Sequence, residues 1–402
     1  MKKTSPKPLF DNLTWLSDPM TNEIKEHLDA LNLNNALREY ELAKRFLLSY
    51  SGSDDTFNSY RREIERLYQW AWINKSKSIK DLDRHDLDEY FQFVQNPPEA
   101  WVGKKHAQRF KTDEHGKRVC VPEWRPFLIR KNTKKTSQEG LSQASIRSVI
   151  AGTSTFFTYL QQENYILSNP VLLIRQKSKY IQKTQQARIT RKLNDIQWGV
   201  LITQIREKCE KDTEAERLLF IFSAFYLLGL RISELGDLND RKTMMGDFYQ
   251  DSIGNWWFKT IGKGNKAREV AVSDDMIKAL KRYRRYLGLS ELPLPGELTP
   301  LLPKKRGIGG IGIRQLRKIV QSGFDMGVEE LVRKGKEQEA EVMKTATVHW
   351  LRHTSISKDV QMRPREHVRD DAGHQSIQIT DRYIEIDLEE RHASARLKKI
   401  DI

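Results

Sequence analysis

Between Arg175 and Asn194 the chain carries seven basic residues (Arg175, Lys177, Lys179, Lys183, Arg188, Arg191 and Lys192) and no acidic one. Gln and Thr fill most of the gaps and apolar residues are few, so the stretch has little to bury. A chain of 402 residues divided there folds as two bodies, each with its own core. We read 176–193 as a basic interdomain linker whose charge suits a phosphate backbone.

The rest of the composition points the same way. The chain has 69 Lys and Arg against 54 Asp and Glu, a formal charge of +15, and a surplus of that size attracts a polyanion, most commonly nucleic acid. Its two cysteines, Cys120 and Cys209, make neither a disulfide framework nor a metal-ligand set and suit a reducing cytoplasm. No apolar run reaches the length of a membrane span, and Met1–Pro8 leads into no apolar signal core.

Before the linker the pattern is helical. Residues 1–34 form an N-terminal extension with one short helix around Thr21–Leu31. A helix over Glu39–Leu48 precedes another that Asp54, Asp55 or Thr56 can cap, with Phe57, Tyr60, Ile64, Leu67 and Ala71 as its core stripe. Arg61, Arg62 and Arg66 fall off that stripe, as a solvated face or as phosphate contacts. Asp83 caps a helix carrying Leu87, Tyr90, Phe91 and Val94. Residues 96–142 then break the pattern with four prolines, two tryptophans and eleven basic residues against five acidic ones. The apolar bulk of Val119–Leu128 makes this a structured insertion. Its His106, His115 and Cys120 lack zinc-ligand spacing. Helical periodicity resumes over Ser142–Glu163 and stops at Ser168-Asn169-Pro170.

After the linker, Asn194 or Asp195 caps a helix, and Arg217–Leu228 is apolar enough to be buried. It runs into Gly229-Leu230-Arg231-Ile232-Ser233-Glu234-Leu235, where an arginine is costly to bury unless an anion meets it. Asn255–Ile261 and Ala267–Val272 read as strands around the turn Gly262-Lys263-Gly264-Asn265-Lys266, a hairpin with a basic tip. Helix follows at Asp274–Tyr286. Gly307-Ile308-Gly309-Gly310-Ile311-Gly312 matches a dinucleotide-binding spacing literally but lacks the strand before it, so we read a basic loop leading into a helix at Ile313–Val320. A charged helix is expected at roughly Val328–Met343. His349 and Arg352, three apart on a helix, share a face. His374 stands nine positions before Tyr383, across a polar run expected to be exposed.

Arg231, Lys263, His349, Arg352, His374 and Tyr383 are a set of donors with a single phenol. Arginines grip a phosphate through paired hydrogen bonds and neutralise charge growing on its oxygens. Lysine can protonate a leaving alkoxide, histidine can pass a proton, and tyrosine becomes a nucleophile where cations favour its phenolate. Such a set performs phosphoryl transfer through a covalent protein–phosphate ester, with no metal and no cofactor.

The four boxes Gly229–Leu235, Gly262–Lys266, His349-x-x-Arg352-His353-Thr354 and Gly373-His374 with Tyr383 resemble the catalytic boxes of the tyrosine recombinase (phage integrase) family. The resemblance covers about 194–390 in detail and 35–175 more loosely. It implies a mainly α fold with a small β-hairpin or sheet (α+β): a helical, SAM-like core-binding domain at 35–175 with its insertion at about 96–142, and a catalytic domain at 194–402 with a tail at 384–402, forming a clamp around DNA. It further implies that Arg231 and Arg352 hold the scissile phosphate, that Lys263 is the general acid for the 5′-hydroxyl, that His349 is its acid/base partner and that His374 is a further donor. Tyr383 then attacks to give a 3′-phosphotyrosyl link, and Glu234 braces Arg231 while His353 is structural. Arg61, Arg62, Arg66, Lys177, Lys179, Arg188, Arg191 and Lys266 are the candidate DNA contacts. The implied partners are double-stranded DNA with specific recombination sites, three further copies of the chain in a homotetramer on two such sites, and accessory DNA-bending or directionality proteins. The location is cytoplasmic, on the nucleoid when DNA is bound, with no membrane. The expected activity is site-specific recombination for integration or excision of a mobile element. The rival readings are a type IB topoisomerase-like enzyme and a non-catalytic DNA-binding protein on the same fold. Asp370 and Asp371 depart from the apolar residues usual in the family before Gly373-His374, which implies altered packing there.

Overall fold

The structure is a computed structural model that describes residues 5–128, 141–176, 191–238, 241–262, 266–381, 383 and 396. It is mostly helical with few strands and forms two compact units, Met1–Gln185 and Gln186–Ile402. Among the described residues no helix is long and apolar enough to cross a membrane.

In the first unit the helices Ala36–Leu48, Asp54–Gln69, Arg84–Gln95 and Gln143–Gln162 enclose a core rich in aromatics, among them Phe46, Phe57, Tyr68, Tyr90 and Phe156. The residues ahead of these helices belong to the same body, because Leu9 and Phe10 are fully buried in that core. Ser53 caps the Asp54–Gln69 helix by accepting from the Thr56 amide, so the cap lies one residue before the acidic pair. Asp83 and Asp86 form a reciprocal capping box on Arg84–Gln95. The insertion holds two small ladders: Val102–Gly103 pairs parallel with Phe127–Leu128, and Phe110–Thr112 antiparallel with Arg118–Cys120. Trp101, Phe110 and Phe127 join the helical core, which anchors it.

The second unit is built around Ala215–Leu228, whose apolar faces pack against the helices Asp195–Lys211, Asp274–Tyr286, Ile313–Arg333 and Val348–Met362. Asn194 and Gln197 cap the first of these reciprocally. A three-stranded antiparallel sheet of Phe248–Gln250, Trp256–Ile261 and Ala267–Ala271 adds a strand to the expected hairpin. The helix from Ile313 runs on to Arg333, and Gly335 at φ +69° separates it from Glu337–Met343. The single charged helix expected over 328–343 is therefore two pieces, because only glycine takes that backbone turn without strain. The glycines at 307–312 also have a local cause. The Gly310 amide donates to Asp237 Oδ2 at 3.0 Å, and a Cβ there would lie 2.7 Å from the same carboxylate.

Candidate active site

Two helix ends and one short helix position the site. The buried helix Ala215–Leu228 stops at Gly229, which adopts φ +57°. Arg231 then heads the short helix Ile232–Leu235, and the Glu234 side chain reaches back to accept the Arg231 amide at 2.7 Å and its guanidinium at 2.9 Å. Glu234 is fully buried. It also accepts both terminal nitrogens of Arg268 from the strand Ala267–Ala271, and Arg352 Nη1 lies 4.0 Å away. Burial alone would push the Glu234 carboxyl up, but the bonds and charge of Arg268 and Arg231 hold it below the usual carboxylate range. One carboxylate thus organises three guanidiniums.

Arg352 is 2 % exposed and donates to Gly229 O at 2.5 Å and Ala372 O at 2.6 Å. These carbonyls close the helices Ala215–Leu228 and Arg365–Ala372, where the helix dipole presents its negative end to a cation. Burial, and then the neighbouring Arg231, lower the Arg352 pKa to about 10, which leaves it charged at neutral pH. Gly373 follows at φ +61°, and its carbonyl lies 3.4 Å from Arg231 Nη2. A Cβ on Gly373 would come within 3.0 Å of the Arg268 side chain, so this glycine answers a close approach as well as a backbone turn.

His374 sits 3.3 Å from Arg352 Nη2 through Nε2 and 2.9 Å from Thr380 Oγ1 through Nδ1. A guanidinium can only donate, so Nε2 is the acceptor and the proton is on Nδ1. Thr380 is fully buried, which corrects the expectation that the whole run 375–381 is exposed: its hydroxyl fixes the His374 ring. Tyr383 lies parallel to that ring at 5.7 Å and tilted against His353 at 5.1 Å; His353 in turn is 4.3 Å from His349. Tyr383 also packs on the small core of Ile356, Val368 and Ala372. Burial raises its phenol, and the charges of Arg352 and Arg231 work against that rise.

Of the expected catalytic residues, the second unit therefore gathers Arg231, His349, Arg352, His374 and Tyr383. Lys263 lies outside the described residues, as do Lys177, Lys179 and Arg188. At the base of its hairpin the Gly262 amide donates to Lys266 O at 2.8 Å, and a Cβ on Gly262 would lie 3.1 Å from Arg268 and 3.3 Å from Glu234. Lys266 is exposed. Arg191 is exposed too, and its charge reaches His349 and His353. In the first unit Arg66 is held by Glu63, at 3.3 Å, and by Pro126 O, at 3.0 Å, while Arg62 pairs with Glu63 at 2.6 Å. Arg268 and Thr380 went unrecognised in the sequence; the one hint for Arg268 was its place in a strand rather than on a solvated helix. Asp371, the unusual acid before Gly373, accepts Arg363 and, at 3.2 Å, the Ala271 amide, tying the helix Arg365–Ala372 to the sheet.

Residues 201–390 match the model of the phage integrase family. That stretch, residues 201–390, belongs to the tyrosine recombinase (phage integrase) family. Its enzymes cut and rejoin DNA through a tyrosine nucleophile. The chain is 26% identical over 313 residues to the tyrosine recombinase XerC of Thermodesulfovibrio yellowstonii, covering 76% of this chain and 84% of that one. It is also 26% identical to the tyrosine recombinase XerD of Oceanobacillus iheyensis, covering 83% and 95%. Its fold is similar to that of the XerH site-specific recombinase bound to difH substrate, with a TM-score of 0.53 and 16% identity over 98% of this chain and 97% of that one. It is also similar to the Tn1549 transposon integrase in complex with a circular intermediate DNA, with a TM-score of 0.55 and 15% identity over 89% and 98%.

The three imidazoles of this recombinase give it a pH signature. Burial first, and then the neighbouring cations and His349, bring His353 to about 4; burial and Arg352 bring His374 to about 4 and lower His349 as well. Their folded pKa values lie below those of the unfolded chain, near ~6.5, so the unfolded chain binds more protons in between. The stability they contribute is full above the unfolded value and is lost as pH falls toward the folded one. Asp359, raised to about 6 by burial, acts in the opposite sense, so the informative quantity is a difference between proteins. The DNA-free double variant His353→Phe/His374→Gln should show a shallower fall in Tm from pH 7 to pH 5 than the wild type. Parallel Tm curves for the two would contradict neutral imidazoles at the site.

Proposed function

We propose that this chain is a site-specific recombinase of double-stranded DNA, acting as a homotetramer on two specific sites to integrate or excise a mobile element. The observation that carries the reading is the convergence of Arg231, Arg352, His349 and His374 with Tyr383 in one unit, on the scaffold of Glu234. Arg231 and Arg352 hold the scissile phosphate. The Tyr383 oxygen attacks phosphorus while His349 accepts the phenolic proton. The bond from phosphorus to the 5′ oxygen breaks, and Lys263 supplies the proton that makes that oxygen a hydroxyl. His374, once the incoming phosphate draws a proton from water onto Nε2, donates from that nitrogen to a non-bridging oxygen in place of its present contact with Arg352. The ester conserves the bond energy, so a 5′-hydroxyl from a second duplex reverses the step and exchanges strands. Lys177, Lys179, Arg188, Arg191 and Lys266 contact the backbone. Accessory DNA-bending or directionality proteins act with the tetramer, and the work is done in the cytoplasm, on the nucleoid. The XerH and Tn1549 proteins, which share the fold, were both captured on DNA substrates.

Two duplexes that carry different labels and candidate sites from the DNA flanking the gene test this directly. Recombinant products joining both labels are expected. Relaxation of supercoils with no joint product would instead indicate an enzyme that reseals its own strand.

A further inference from the structure

The insertion at 96–142 has no part in the chemistry above, yet it builds a site. Its described portion stands beside the helix Asp54–Gln69 and the first turns of Gln143–Gln162. An open groove of about 1620 Å³ lies among them. The helix wall carries Arg61, Arg62 and Arg66, and the insertion wall carries His106, Arg109 and Arg125. Among the described residues, Glu63 on the groove and Glu65 behind it are the carboxylates that meet these five guanidiniums.

The arginines divide into two kinds. Arg66 and Arg109 are fixed. Arg66 bonds Glu63 and Pro126 O and lies 4.3 Å over the Phe127 ring, while Arg109 bonds Glu65 at 2.9 Å and lies 5.6 Å over Trp124. These two pin the insertion to the helix. Among the described residues, Arg61 and Arg125 are not neutralised in this way. Arg61 donates to Asn58 at 2.5 Å and lies 5.0 Å over Phe57, its Nε is buried with no partner among those residues, and the charge of Arg109 presses on it, opposed from a distance by Glu65 and Asp11. Arg125 donates to the carbonyls of Pro122 and Trp124, at 2.7 and 2.6 Å, which carry no formal charge. A buried guanidinium nitrogen with no acceptor is costly, and a phosphate oxygen would satisfy it.

We infer that the insertion is the second wall of a groove for the DNA backbone, in which Arg125 from the insertion and Arg61 from the helix hold phosphates of one strand. The inference rests on the recombinase reading and assigns the insertion a role in it. The groove is open and larger than the roughly 300–1,000 Å³ of a small-ligand pocket, which favours a polymer over a free anion. Guanidiniums aimed at phosphates position a duplex without reading its bases, so the contact is independent of sequence.

The test compares full-length wild type with Arg125→Gln, Arg61→Gln and, as a charge-matched control on an exposed residue of the same unit, Lys25→Gln. Affinity for one linear duplex is measured by anisotropy across a salt series. Each groove variant should bind about fivefold more weakly at ~0.1 M salt and lower the salt slope by about one ion, with Lys25→Gln close to wild type. Arg125→Gln and Arg61→Gln that match the control in slope and affinity, while wild type binds DNA well, overturn the groove alone. Wild type that does not bind DNA overturns the recombinase reading itself. Calorimetry with inorganic phosphate separates the two sources of the anion. Saturable phosphate binding abolished by Arg125→Gln, with DNA affinity unchanged, would make this a small-anion site and overturn the proposal.

Discussion

Tyr383→Phe should fold and bind DNA like the wild type and form no covalent adduct with it. The substitution removes one hydroxyl and keeps the ring, which packs on Ile356, Val368 and Ala372 and between the His353 and His374 rings. No counter-charge is lost, so stability should stay within about 1 kcal/mol of wild type. The chemistry has no such tolerance, because a phenyl ring offers phosphorus no electron pair. A nicked suicide substrate carrying the true site traps the wild-type ester, since the short 5′ fragment diffuses away and cannot reverse attack. The adduct survives denaturant and should map to a peptide containing Tyr383, linked to a 3′-phosphate. An adduct formed by the Phe variant would place the nucleophile elsewhere. The burial that raises the Tyr383 phenol means the free enzyme holds it protonated. Phosphate arrival and a base are both needed, so a poorly aligned half-site should slow adduct formation more than it weakens binding.

How much of this was legible beforehand depended on range. Helix existence followed from local period and cap chemistry: Asp274–Tyr286 is where the sequence put it, and of the two caps it allowed, Asn194 or Asp195, the structure uses Asn194. Arg231, His349, Arg352, His374 and Tyr383 could be grouped beforehand because each stands inside a short local string, and the second unit gathers them. What escaped was non-local. Arg268 looks like any strand cation until its partner, 34 positions away, is seen to be the buried Glu234. Thr380 reads as a polar loop residue, and only the fold turns its hydroxyl toward His374. The break at Gly335 and the strand Phe248–Gln250 were missed because a charged run hides a left-handed turn and three residues carry too little period to register. Arg66 erred the other way: off the apolar stripe, it still ends as a brace between Glu63 and the insertion.

Glu234→Gln should be the most damaging conservative change in the second unit. The two side chains are nearly isosteric, so the substitution isolates charge. The wild-type carboxylate is wholly buried and accepts from Arg231 and Arg268, with Arg352 at 4.0 Å. An amide keeps one acceptor oxygen, turns its nitrogen toward guanidiniums that cannot accept, and leaves three cations without their common counter-charge. Removing one partner from a buried charge group typically costs about 3–5 kcal/mol, and chemical denaturation of the DNA-free protein should read a loss of that order. Cleavage should fall by at least about 100-fold, since Arg231 loses the bonds that aim it at the phosphate. A purely structural defect would predict the same two losses. The discriminating measurement is the effect of DNA on Tm. A bound phosphate brings back negative charge beside Arg231 and Arg352, so saturating DNA should raise the variant's Tm by more than it raises that of the wild type. Arg268→Lys, which keeps a cation but loses the forked contact with Glu234, should be milder in stability and shift cleavage in the same direction. A Glu234→Gln protein with wild-type stability, or one that DNA stabilises no more than wild type, would mean that the three guanidiniums are held apart by something other than this carboxylate.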